Sequence, residues 1–138
     1  MSRIIGLLRR FRKDESGAFM VLFAVLALVL IATSGAVVDF TSTEQARTRA
    51  QTALDAAALA LQPRIKTDNI ATLKSKAQTI VTERLNDANV TVTLNNPTVN
   101  TGEGTLELTA SMTKNTSFVR LIGINSITAN LVSQATRK

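Results

Sequence analysis

The chain has 138 residues, a net charge of +6, and no cysteine, histidine, tryptophan or tyrosine. Its length admits one domain, while the missing cysteine excludes a disulfide framework, a thiolate metal site and a nucleophilic thiol, and the missing histidine removes the commonest general base and transition-metal ligand. No Gly-rich phosphate loop, carboxylate cluster or nucleophile beside a base stands in for them, so no catalytic residue, metal site or cofactor is expected and the chain does not read as an enzyme.

Arg3, Arg9, Arg10, Arg12 and Lys13 crowd the first stretch, offset only in part by Asp14 and Glu15. Beyond Val38, acidic and basic residues are interspersed, so the excess charge reads as a mark of membrane topology and no nucleic-acid partner is expected. Ser16 to Val38 is a run of 23 residues without a charge. As a helix it is about 35 Å long, enough for a bilayer core of about 30 Å. With the basic residues on its N-terminal side, the positive-inside rule puts residues 1–15 in the cytoplasm as a leader, 16–38 in the membrane and the rest beyond it. In a bacterium the membrane is the inner one and the rest is periplasmic. The rival reading is a cleaved secretory signal ending near Ser34-Gly35-Ala36. The apolar character continues through Val37 and Val38 and the helical pattern persists past Asp39, which favours a retained anchor.

From Asp39 to Gln62, Ala46, Ala50, Ala53, Ala57 and Ala60 recur at spacings of four, three, four and three, with Leu54 and Leu61 beside them. This is a helical stripe on a helix expected from about Gly17 to Gln62, stopped by Pro63. Small side chains let a neighbouring backbone approach closely. The period fits two partners equally: the protein's own small domain, or helices of neighbouring subunits, a homo-oligomer among them.

Asp14-Glu15-Ser16-Gly17-Ala18 before the apolar run, Val38-Asp39-Phe40 after it, then Arg47, Gln51 and "ALDAAALAL" with Asp55, together resemble the N-terminal segment of TadG-like (TadE/TadG-type) proteins of the tight-adherence, or Flp, pilus system. The closing stretch "TSFVRLIGINSITANLVSQATRK" is similar to the ends of TadE- and TadG-like chains. The resemblance implies an inner-membrane protein exposed outside the cytoplasm, acting in pilus assembly or as a minor pilin-like component, with other pilus subunits or assembly-machinery proteins as partners. Gly17, Asp39, Gln51 and Asp55 are its motif positions. Two departures limit it. The Asp-x-Ser-x-Ser stretch of the von Willebrand A-like domain in longer TadG-like proteins is missing, and a prepilin-type cut after Gly17 would put Leu22 where a glutamate is usual.

After Pro63 the residues 63–138 are expected to form a small α+β head. Ile70, Leu73, Ala77, Ile80, Val81 and Leu85 give an amphipathic helix over 68–86, capped by Thr67 or Asp68. Val90-Val92-Leu94 and Leu106-Leu108-Ala110-Met112 alternate with polar residues as half-buried strands, with "NPTVNTGEG" as a loop between them. Thr116 or Ser117 is expected to cap a short turn from Phe118 to Ile122 that Gly123 ends, and Ile127 to Ser133 to form a third strand. The sum is a long transmembrane helix, then one helix on a three-stranded antiparallel sheet like a small pilin headgroup, whose open edge could receive a partner strand. The alternative function is a secreted or anchored envelope module that binds a ligand on its Thr-rich sheet face.

Overall fold

The computed structural model describes residues 15–137. Apart from Glu15, the basic leader lies outside the described residues. Helix α1 (Glu15–Leu61) has 47 residues and is about 70 Å long. Nothing in its sequence breaks it, because the run from Ser16 to Gln62 contains no proline and Thr33 returns its hydroxyl to the Val29 and Leu30 carbonyls at 3.0 Å. Pro63 has no N–H to continue the ladder, and Gln62–Arg64 tightens into a 3-10 turn. The side chains from Phe19 to Val38 are largely exposed, and among the described residues this is the one helix long and apolar enough to cross a membrane.

Helix α2 (Ile70–Leu85) begins two residues later and ends one residue earlier than the sequence suggests. Its cap is Asn69, whose side chain accepts from the Thr72 N–H at 2.8 Å, while Asp68 takes the Lys76 ammonium at 2.6 Å. It buries Leu73, Ala77, Val81 and Leu85 and ends on Asn86, which adopts a left-handed conformation.

Four strands follow: β1 (Val90–Leu94), β2 (Thr98–Asn100), β3 (Thr105–Asn115) and β4 (Ser126–Thr136). β2 lies in the segment that turn chemistry marks as a loop. Leu94 pairs with Ala110 and Asn95 still donates to the Thr109 carbonyl, yet Thr98 already faces Glu107, so Asn96 and Pro97 stand opposite Leu108 alone. The proline thus sits in a bulge that divides one strand into β1 and β2. The sheet is in effect an antiparallel meander with β3 central, β1 and β2 in tandem on one side and β4 on the other.

One face of this sheet is covered. α1 lies over β3 and β4, and α2 fits beside it over β1. Leu54 on α1, Leu73 and Val81 on α2, and Leu94, Leu106, Leu108 and Met112 on the sheet are fully buried at the centre. The opposite face, with Thr91, Thr93, Thr109, Thr113 and Thr128, is open to water or half so, as the alternation predicts. The head is therefore built on α1, which supplies about a third of the core.

Truncating Leu54→Ala leaves a hole where both helices meet the sheet and should cost about 2–5 kcal/mol. Ala50 has no room for a larger side chain, so Ala50→Leu should cost about 1–3 kcal/mol by overpacking. Exposed Ala60→Leu should stay within about 0.5 kcal/mol. Urea unfolding of the full chain in detergent micelles, followed by circular dichroism, ranks the three.

Candidate functional site

The alanine stripe is the seat of the head. Ala46, Ala50, Ala53, Leu54, Ala57 and Leu61 are all buried, against α2 and the sheet. Ala60, which its spacing assigns to the same stripe, is exposed, and Ala58 is buried. At 100° per residue Ala60 falls about 80° from Ala50, on the side away from Ala58 and Gln62, toward which the buried face turns in the last two turns. The stripe also starts earlier than alanine alone reveals: Gly35, Asp39 and Thr43 precede Ala46 at spacings of four, four and three, and all three are buried.

At Asp39 the seam becomes polar. Its carboxylate accepts the backbone N–H groups of Ser117 at 3.0 Å, Phe118 at 2.8 Å and Val119 at 2.8 Å. These three amides open the 3-10 turn Val119–Ile122 in the β3–β4 loop, which has no side-chain cap of its own. The cap expected from Thr116 or Ser117 is supplied instead by a residue about 80 positions earlier, and the Thr116 hydroxyl turns back to the Ile124 carbonyl. Gly123 ends the turn in a left-handed conformation (φ 94°), as expected. The Val119 amide foremost, then those of Ser117 and Phe118 and the nearby Lys114 charge, hold the Asp39 carboxyl below its ordinary pKa despite burial.

One turn toward the apolar run, Gly35 meets the same loop. A Cβ built on Gly35 would lie 2.5 Å from the Phe118 Cβ, so the ring can press on the helix only because the side chain is absent. Further along α1, the Gln51 amide donates to the Asp55 carboxylate at 3.0 Å and to the Val132 carbonyl of β4 at 2.8 Å. Asp55 thus orients Gln51, and Gln51 holds the strand. At the far end Gln62 donates to the Gly104 carbonyl at 2.8 Å, in the turn between β2 and β3.

Asp39, Gln51 and Gln62 therefore form three polar clasps along about 35 Å of helix. Three motif positions, Asp39, Gln51 and Asp55, meet at this seam. Gly17 does not: it lies in the first turn of α1, about 27 Å by helical rise from Gly35. Gly35, Phe118 and Gln62 escape a search for charge or metal chemistry. The spacing of four from Gly35 through Asp39 to Thr43 is the signal that could have found the first of them. Among the described residues no three His, Cys, Asp or Glu side chains gather as a metal site would require.

The sheet edges are held from the helices as well. Gln78 of α2 accepts the Leu94 N–H at 3.1 Å and donates to the Val92 carbonyl at 2.8 Å, occupying the outer edge of β1 as a short strand would. With Gln51 on β4, both β1 and β4, on the two sides of the sheet whose open edge could receive a partner strand, have backbone groups already engaged by a glutamine.

Asp39→Ala should release the loop, read as faster amide exchange at residues 117–119 while the amides of α2 stay protected. Because Asp39 binds its proton less readily when docked, its contribution is in full force above about pH 3.9, the ordinary value, and fades as pH falls through the lowered one. Protection of the same amides should therefore fall on acidification in the wild type and be independent of pH there in Asp39→Ala. Gly35→Val should expose the loop in the same way without touching the carboxylate.

The comparison with protein families falls on this helix. The Tad family model, TadE/G-like Flp pilus assembly, matches residues 17–62, which span most of the apolar run, the alanine stripe and all three clasp residues. No curated protein and no solved structure matches the chain. The process supported is Flp pilus assembly, the work of a structural and assembly family rather than an enzymatic one. Over the helix that carries its membrane-length run and the seat of its head, about a third of its length, the chain is similar to TadE/G-like Flp pilus-assembly proteins.

Proposed function

We propose that the protein is a membrane-anchored, minor pilin-like component of a Tad pilus, held in the bacterial inner membrane by residues 16–38 with the leader in the cytoplasm and the head in the periplasm. The observation that carries this reading is the continuity of α1. The same unbroken helix offers exposed apolar side chains from Phe19 to Val38 and, from Asp39, the buried face on which the head is built. A cleaved signal would be joined to its passenger by a stretch that a peptidase can enter; here the candidate site at Ser34-Gly35-Ala36 lies inside the helix, with Gly35 covered by Phe118. The basic leader supports the orientation.

The division of labour along α1 follows. Residues 39–62 spend their small-residue face on the protein's own head, so contact with other pilus subunits falls to the surfaces left over: the lipid-facing run, the far side of the helix with exposed Phe40 and Leu59, and the open sheet face. Assembly partners are pilin or machinery helices in the membrane and head domains outside it. Self-association through the helix would use the same apolar run.

Deleting the gene should reduce the number of surface pili seen by electron microscopy, and the intact chain should restore it. Pili in normal number, with normal adherence, would overturn the reading. Mass spectrometry of the mature protein should find the leader intact, and a protease added to the periplasmic side should cleave the head region but leave residues 16–38 protected.

A further inference from the structure

The β3–β4 loop exposes more apolar surface than any other part of the head. Leu121 is 83% and Ile122 68% exposed, and Phe118 and Ile124 are exposed beside them. Its level along α1 is fixed by two contacts already described. Asp39 holds the amides of 117–119, and Phe118 rests on Gly35, which lies inside the uncharged run, three residues or about 4.5 Å before its end at Val38. Leu30, Ile31, Ser34, Gly35, Val38 and Phe118 line one shallow apolar groove, so the surface of the loop is continuous with the lipid-length face of the helix.

The backbone of the loop is prepared for a dry place. Besides the three amides on Asp39, the Thr116 N–H reaches Asn125 O, Leu121 N–H reaches Phe118 O, Gly123 N–H reaches Arg120 O and Ile124 N–H reaches Val119 O, each within 3.1 Å. The Thr116 hydroxyl takes the Ile124 carbonyl. Lipid tolerates unpaired backbone groups poorly, whereas a loop in water needs no such accounting. Arg120 is exposed on the same turn, and its long side chain can carry its charge out to lipid phosphates while its stem stays in the apolar layer.

We propose that residues 118–124 enter the interface of the head-side leaflet next to α1, giving the protein a second membrane contact; this rests on α1 being the anchor. The occupant of the apolar loop is lipid. The head is then held at two points, by the helix that crosses the bilayer and by the loop that dips into it, and its orientation to the membrane plane is set.

The absence of cysteine lets single positions be labelled in the full chain. Leu121→Cys, Val29→Cys in the run and Thr101→Cys in the distal turn, each carrying an environment-sensitive nitrobenzoxadiazole dye, are placed in vesicles of phosphatidylcholine and phosphatidylglycerol. Quenching by a shallow doxyl lipid and by aqueous iodide is then read. The expected result is doxyl quenching at Leu121→Cys, deep burial with no iodide quenching at Val29→Cys, and iodide quenching alone at Thr101→Cys. Iodide quenching of Leu121→Cys equal to that of Thr101→Cys, with Val29→Cys in lipid, overturns the insertion and leaves the anchor standing. Shielding of Leu121→Cys from both quenchers also overturns it, and assigns the loop to a protein partner. Val29→Cys open to iodide overturns the anchor itself, and the insertion with it. Leu121→Glu with Ile122→Glu, at exposed positions that leave the core intact, should abolish doxyl quenching of a dye at Ile124→Cys.

Discussion

A carboxylate placed where an apolar helix turns polar must find partners, and Asp39 finds three backbone amides from the far end of the chain. Charge-assisted bonds of this kind are stronger than neutral ones and directional. They set the rotation of α1 about its axis relative to the β3–β4 loop and its height along the helix. With that point fixed, the small residues that follow at helical spacing fall onto α2 and the sheet, and Gln51 and Gln62 reach β4 and the β2–β3 turn. Gly35 belongs to the same constraint, since only a residue without a side chain allows the loop close enough for Asp39 to hold it.

The alanine stripe looks like a surface for association, yet its area is spent inside the protein. Alanines bury little each, so close approach compensates by letting Leu54, Leu73 and Met112 fill the space between the two helices and the sheet. The sheet is protected in a related way. Its edge strands carry helix-borne glutamine amides that complete part of the backbone pairing a neighbour would otherwise supply. Recruitment of further copies through strand addition is thereby disfavoured, and helical or side-chain contacts carry whatever assembly takes place.

Much of this was legible because it rests on periods. The uncharged run, the recurrence of Ala46, Ala50, Ala53 and Ala57, and the alternation along β1 and β3 each repeat with the geometry of their element. What stayed hidden depends on residues far apart in sequence. Whether the stripe met its own head or a neighbour could not be decided from α1, because the answer lies in the strands. Thr116 and Ser117 are the local candidates for the cap of the 3-10 turn, yet Asp39 supplies it. β2 was masked by Pro97, a residue that ordinarily ends a strand and here occupies a bulge between two paired segments. The resemblance marks Gln51 and Asp55, but their joint action on Val132 needs the strand to be in place.

The spacing of the clasps has a mechanical consequence. They lie in a row along the axis of α1, and the paired strand β4 runs in the same direction from the Asp39 end toward the Gln62 end. A pull along that axis loads Asp39, Gln51, Gln62 and the alanine interface in shear, all at the same time, whereas a pull that lifts the head away would open them one after another, as a zip does. No flexible linker stands between the apolar run and the head to absorb the strain. Tension directed along the helix is therefore shared across the whole seam and passed as one load into the uncharged run.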